Sequence, residues 1–228
     1  MTAAEFIDEL DLLQSPAELK NVKRFFSDEG MPTKFYGIRM ADLFGLAKQF
    51  KAMPPAEIRQ LLASDYYEAR MGAVSIMEFQ ARDKKTTPDI KRALFELYIA
   101  EHKQINNWDM VDRSAPYVVG GYLYDKPRKL LYKLAKSKNV WERRTAIVAT
   151  YYFIRQNDVE DTFKIAVLLL HDKHHMINKA VGSWLRDAGK RDKQRLLDFL
   201  DKYAASIPKV TLRYATERPG NDRSKFEG

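Results

Sequence analysis

The feature that most constrains this chain is a recurrence. Four segments align: YYEARMGAV (66–74), WERRTAIVA (141–149), MINKAVGSW (176–184) and PKVTLRYAT (208–216). Each places a basic residue beside a small, Ala-rich face: Arg70, Arg144, Lys179 and Arg213. A fifth segment, INNWDMVDRSAP (105–116), fills the gap and puts Asp112 where the others have a base. Successive separations are 42, 32, 35 and 34 residues. A period of that size is the mark of a repeating helix pair, which cannot bury its apolar face alone and so stacks on its neighbours. Stacked pairs form a curved solenoid whose inner helices line one concave surface. The expectation is an all-α chain, a curved solenoid of antiparallel helix pairs. Its concave face would carry four cations and one central carboxylate.

Local patterning agrees. Apolar residues recur at three- and four-residue spacing, as in Leu61, Leu62, Tyr66, Ala69, Ala73 and Met77, or Leu196, Leu197 and Leu200. No sustained period-2 alternation and no Asn-Gly or Asp-Gly hairpin signal interrupts this. Ser15-Pro16-Ala17-Glu18 reads as a capping box with proline at the first helical position, and Thr87-Pro88-Asp89 opens a helix in the same way. Gly30 reads as a stop before a turn through Pro32. The pattern predicts about a dozen helices of roughly 10–18 residues joined by short loops. One domain is expected over 1–217, followed by a polar, disordered tail at 218–228.

Composition narrows the chemistry. The chain has no cysteine, which excludes disulfides, thiolate metal ligands and Cys nucleophiles. Its start, MTAAEFIDEL, lacks the basic-then-apolar pattern of a secretory signal. The longest aliphatic run, Ile165 to Leu170, is far short of a membrane span. A soluble, cytoplasmic monomer with no membrane partner is expected. The net charge of +8 and a pI near 9.4 favour an anionic partner, nucleic acid first.

Standard site motifs are absent: there is no phosphate loop, dinucleotide fingerprint, nucleophile elbow or His-Glu-x-x-His. Three of the four histidines, His171, His174 and His175, sit in HDKHHM. Their spacing matches no zinc pattern, so a solvated loop is the expected reading and no metal is assigned. The informative stretch is NNWDMVDR (106–113). On a helix Trp108 and Asp112 lie one turn apart on one side, while Asp109 points elsewhere. Pro116 should interrupt the helix and tilt this face. A Trp/Asp pair can also serve packing, with Asp112 paired to Arg113 or to a neighbouring arginine. A carboxylate in a phosphate-binding surface costs affinity, however, and so asks for a reason. Rupture of an N-glycosidic bond supplies one. It puts positive charge on the sugar, which a fixed carboxylate stabilises while it orients water. A base that is already cationic leaves without a general acid.

NNWDMVD, NVWERRTAIV and INKAVGSWLRDAGKRD, together with FYGIRMADLFGLAKQFK (35–51) and IPKVTLRYATER (207–218), resemble the bacterial DNA alkylation repair family, the AlkD-type alkylpurine DNA glycosylases. The resemblance is ordered and runs from about residue 20 to 218. It implies HEAT-like repeats that cradle duplex DNA. It also implies monofunctional excision of cationic lesions such as N3-methyladenine and N7-methylguanine, with no metal and no cofactor. By the same resemblance Asp112 matches the catalytic carboxylate, Trp108 the cleft tryptophan one turn before it, and Arg144 a cleft arginine of the next repeat. The second cleft tryptophan falls in register on Ser183. Trp184, one residue on, is turned by about 100° and is either a displaced cleft wall or core. Arg70, Lys179 and Arg213 are the remaining expected DNA contacts. Trp141 is expected to pack between repeats, and Phe25, Phe26, Phe35 and Tyr36 form an aromatic front end. Two other classes share the sequence features: a non-catalytic repeat protein for distorted or branched DNA, and a protein-binding helical scaffold.

Overall fold

A computed structural model of the chain describes residues 1–22 and 33–217. The expected turn at Gly30–Pro32, Phe25, Phe26 and the tail at 218–228 lie outside the described residues. Among those described, the secondary structure is helical, with one isolated bridge between Lys34 and Tyr66 and no strand. The α-helices are α1 (Ala3–Leu12), α2 (Pro16–Val22), α3 (Met40–Gln49), α4 (Pro55–Leu62), α5 (Tyr67–Arg82), α6 (Pro88–Ala100), α7 (Trp108–Ala115), α8 (Lys129–Leu134), α9 (Val140–Ala149), α10 (Tyr151–Arg155), α11 (Glu160–Leu169), α12 (His175–Gly189), α13 (Lys193–Tyr203) and α14 (Lys209–Thr216). The chain is all-α, as its periodicity requires.

The expected starts are where the caps put them. Ser15 Oγ accepts from Glu18 N at the head of α2, and Thr87 accepts from Ile90 N at the head of α6, with proline in the first turn of each. A further capping box, Thr2 with Glu5, opens α1. In each case the side-chain oxygen satisfies an amide that has no partner inside the helix.

The chain divides into two compact units, Met1–Tyr122 and Leu123–Gly228. The first is organised on α5, which touches α1, α3, α4, α6 and α7. Because neighbours surround it, α5 is buried nearly all round and its polar residues must find partners inside the unit. Glu68, fully buried, accepts from the backbone amides of Tyr36, Gly37 and Ile38 at 3.0, 2.9 and 3.4 Å. Gly37 has φ +79°, a conformation that glycine adopts without strain, and this brings the consecutive amides round the carboxylate. Gln80 donates to Met53 O at 2.7 Å, tying α5 to the turn before α4.

The second unit is organised on α12, against which α9, α10, α11, α13 and α14 pack. α14 approaches α12 closely enough to meet its backbone. A Cβ on Gly182 would lie 2.5 Å from both Thr211 O and Tyr214 Cβ. This close approach yields a prediction for the fold. Gly182→Ala should destabilise the protein by about 1–3 kcal/mol, despite the ~1 kcal/mol by which alanine outranks glycine in a helix. The checking measurement is the urea midpoint, and an unchanged or raised midpoint would show that α14 moves aside freely.

Candidate functional site

The site is built on α7, only eight residues long. Met110, Val111, Ser114 and Ala115 are buried against the first unit, leaving the opposite side with Trp108, 36% exposed, and the half-buried Asp112. The two share a side one turn apart. The α-helix ends at Ala115, and the chain continues as a π-helical turn, Pro116–Gly121. The expected interruption at Pro116 therefore takes the form of a change in helical spacing, which suits a residue with no amide to donate.

Asp109 holds the first turn of α7 in place. One carboxylate oxygen accepts from the buried Tyr67 hydroxyl at 2.6 Å, and the other accepts from Met110 N at 2.7 Å. Tyr67 opens α5 and lies with its ring 5.8 Å from that of Phe35. Burial pushes the Asp109 carboxyl above its usual range; the bonds from Tyr67 and Met110 oppose this, and the charge of Asp112 adds to it. The Tyr67 phenol is also driven up, first by burial and then by Asp109. At the last turn of α7, the Arg113 guanidinium sits 4.6 Å from the Phe44 ring and 4.8 Å from the Phe79 ring, with an amino group 3.2 Å from buried Glu78. Glu78 also pairs with Arg82 at 2.9 Å. Arg113 is thus drawn into the unit, toward α5, and α7 is anchored at both ends.

The four cations expected to line one face differ in exposure. Arg70 is 3% exposed and spends its guanidinium on Ser64 O at 2.6 Å and on the Thr33 hydroxyl. Arg144, 5% exposed, donates to Met176 O at 2.6 Å. Guanidinium groups held in this way brace loops and helix ends. Lys179 is half-buried on α12, and Arg213 is exposed on α14 with its guanidinium 5.2 Å from the Tyr214 ring.

The aromatic residues also fall into place. The half-buried Trp184 donates from Nε1 to Val148 O at 3.1 Å and meets the Tyr151 ring at 6.1 Å. Its indole is engaged by the second unit's own backbone, as the one-residue displacement from Ser183 allows. Trp141 packs edge-on to His174 at 6.1 Å, whose ring stacks on His175 at 5.1 Å. Tyr36 stacks on Tyr66 at 4.0 Å. Among the described residues, no group of three or more His, Cys, Asp or Glu side chains is placed to hold a metal ion. Tyr67 and Asp109 are the participants that sequence reasoning missed. They stand 42 residues apart, and nothing in spacing announces that a phenol from α5 will reach α7.

The fold and this site define an all-helical protein with a carboxylate beside an exposed indole on a short, doubly anchored helix. The profile of the DNA alkylation repair enzyme family matches residues 6–218, and the chain belongs to that family. Among solved structures, it is similar to a predicted DNA alkylation repair enzyme from Enterococcus faecalis. That likeness has a TM-score of 0.69 and 15% identity, over 92% of this chain and 98% of the other. It is also similar to AlkD2 from Streptococcus mutans, with a TM-score of 0.53 and 16% identity over 96% and 97% of the two chains. A third similar structure is smu.31 from Streptococcus mutans UA159, with a TM-score of 0.53 and 20% identity over 78% and 92%. At these identities the structures share the fold. No curated protein matches the chain.

Two variants test the anchoring of α7. Tyr67→Phe removes a hydrogen bond to a carboxylate and should cost about 1.5–3 kcal/mol in denaturant unfolding. Asp109→Asn should also change how stability responds to pH. A carboxyl raised by burial contributes stability that is present below its ordinary range and lost as pH rises through the raised value. The wild type should therefore lose stability relative to Asp109→Asn as pH rises above the ordinary carboxylate range of about 4, and melting temperatures of the pair measured upward from that pH test it. A constant difference would show that Asp109 does not titrate abnormally.

Proposed function

We propose that the protein is a monofunctional DNA glycosylase that hydrolyses the N-glycosidic bond of cationic alkylated purines, such as N3-methyladenine and N7-methylguanine, in duplex DNA. Membership of the DNA alkylation repair family makes DNA the partner. The observation that carries the finer reading is Asp112, half-buried on the same side of α7 as the exposed Trp108. In this reading Trp108 packs against the sugar and backbone of the damaged nucleotide. Asp112 faces the sugar ring, where positive charge develops as the bond to the purine lengthens. The fixed carboxylate stabilises that charge and orients the water. The water oxygen bonds to the anomeric carbon, the C–N bond breaks, and its electron pair leaves with the purine. That pair cancels the lesion's positive charge, so the base departs neutral without being protonated. The water's proton passes to Asp112 or to solvent.

Asp109 is the other carboxyl close by, and both its oxygens already accept hydrogen bonds. It is not offered as an acid toward a leaving base, and the substrate range is correspondingly confined to cationic lesions. Lys179 and Arg213 remain proposed phosphate contacts, because Arg213 is exposed and Lys179 half-buried. Arg144 and Arg70 are proposed to act indirectly, by bracing the helices that carry those contacts. No metal or cofactor takes part in this reading, and no described helix is long and apolar enough to cross a membrane. A cytoplasmic monomer associated with the nucleoid is the setting proposed.

One observation favours a second reading, a non-catalytic protein for distorted or branched DNA. The Trp184 indole is held by Val148 O, which leaves Ser183 at the position of the second cleft tryptophan. Release of methylated bases from alkylated duplex DNA separates the two. Under the glycosylase reading Asp112→Asn loses on the order of 3 kcal/mol of transition-state stabilisation, roughly a hundredfold in rate, with folding and DNA affinity retained. Loss of folding at full specific activity would make Asp112 a structural residue.

Duplexes with N7-methylguanine, hypoxanthine or ethenoadenine test the substrate class. Only the first should yield free base, and none should yield nicked strand. Efficient hypoxanthine release would reveal an acid that this site does not contain.

A further inference from the structure

Between Asp125 and Glu142 the chain carries Lys126, Arg128, Lys129, Lys133, Lys136 and Lys138 and no carboxylate. Two of these cations are engaged locally. Lys126 pairs with Asp125 at 2.5 Å. Arg128 bonds Asp158 and Asp161 at 2.7 and 2.6 Å and lies 3.9 Å from the Phe153 ring. The other four lysines are exposed, and none forms an ion pair with a described residue. Lys129 and Lys133 stand one turn apart on α8, and Lys136 and Lys138 follow in the turn and loop that lead to α9.

The segment is rigidly seated. Leu131, Leu134 and Ala135 are buried on the side away from the lysines, α8 packs on α9, and the Tyr132 hydroxyl bonds Asp161. The lysines are therefore presented in fixed order. Such a row of like charge repels itself, and an outside anion relieves that repulsion. Its chemistry also selects among anions. No large apolar side chain is exposed between Lys129 and Lys138, so the patch has no buried anchor of the kind that centres a protein interface. Hydrated lysine charges without an apolar centre match the diffuse, repeated charge of a phosphodiester backbone.

We infer that the lysine face formed by Lys129, Lys133, Lys136 and Lys138 is a DNA-backbone contact surface of the second unit, separate from the helices that carry Asp112, Lys179 and Arg213. It supplies open cations where Arg70 and Arg144 are enclosed. The inference rests on DNA as the partner but not on base excision.

The test is the salt dependence of binding to an undamaged duplex by the full chain. The variant is Lys129→Gln, Lys133→Gln and Lys136→Gln together, and its melting temperature is measured alongside. The slope of log affinity against log salt should fall by about 0.9 for each phosphate that the variant no longer neutralises, so by about 2–3 for the triple variant. Arginine at the same three positions should restore the slope, because charge alone is required. Excision measured with protein in saturating excess should match wild type. A folded Gln variant with the wild-type slope, or an Arg variant that does not restore it, overturns the inference. So does loss of binding to poly-glutamate with duplex binding unchanged. A slope that falls as expected in a protein that releases no base supports this surface and removes the glycosylase reading. Base release with an unchanged slope does the reverse.

Discussion

The first unit depends on the buried carboxylate of Glu68. A charge taken out of water is tolerated only where hydrogen bonds replace its hydration, and here the amides of Tyr36, Gly37 and Ile38 do so. The same bonds join the 33–39 segment to the first turn of α5. Tyr67 immediately precedes Glu68, so fixing one fixes the other. The phenol then reaches α7 through Asp109. A chain of hydrogen bonds thus runs from a loop near the N-terminal side of the unit to the helix that carries Asp112. Each link joins groups that would be costly to leave unpaired.

α7 places two carboxylates within one turn and gives them different environments. Asp109 is turned inward, where Tyr67 and Met110 occupy its oxygens and burial resists its ionisation. Asp112 lies on the side of Trp108. At the far end Arg113 is held between Phe44 and Phe79 and turned to Glu78. The Asp109 and Arg113 charges are engaged within the first unit, and Asp112 is the carboxylate on the Trp108 side. A group that must act on a transition state by its field gains from such fixed surroundings, because no reorganisation is needed during reaction.

The distribution of cations follows from the difference between arginine and lysine. Arg70 and Arg144 are enclosed because a planar fork of donors can satisfy carbonyls and hydroxyls at the junction of elements. The lysines after Asp125 stay in water because an ammonium ion is compact and strongly hydrated, and a buried one would demand partners on every side. Net charge is a sum over both kinds and does not distinguish them. The total of +8 therefore points to an anionic partner, while the packing decides which cations stay exposed.

Helix type, helix starts and the family were legible in the residues themselves. Apolar spacing, Ser15 and Thr87 caps, and the NNWDMVD segment act over a few positions, where local sterics and hydrogen bonding decide the outcome. The side shared by Trp108 and Asp112 was legible for the same reason, since helical geometry alone sets it. What a basic residue does in its repeat was not. Arg70 and Arg213 occupy equivalent places in the recurrence, yet one is buried against Ser64 and Thr33 and the other is exposed beside Tyr214. The Tyr67–Asp109 bond and the burial of α5 on all sides were likewise decided in three dimensions. They depend on which distant helices surround a segment, and the cost of an unpaired polar group is set by those neighbours rather than by the residues adjacent in the chain.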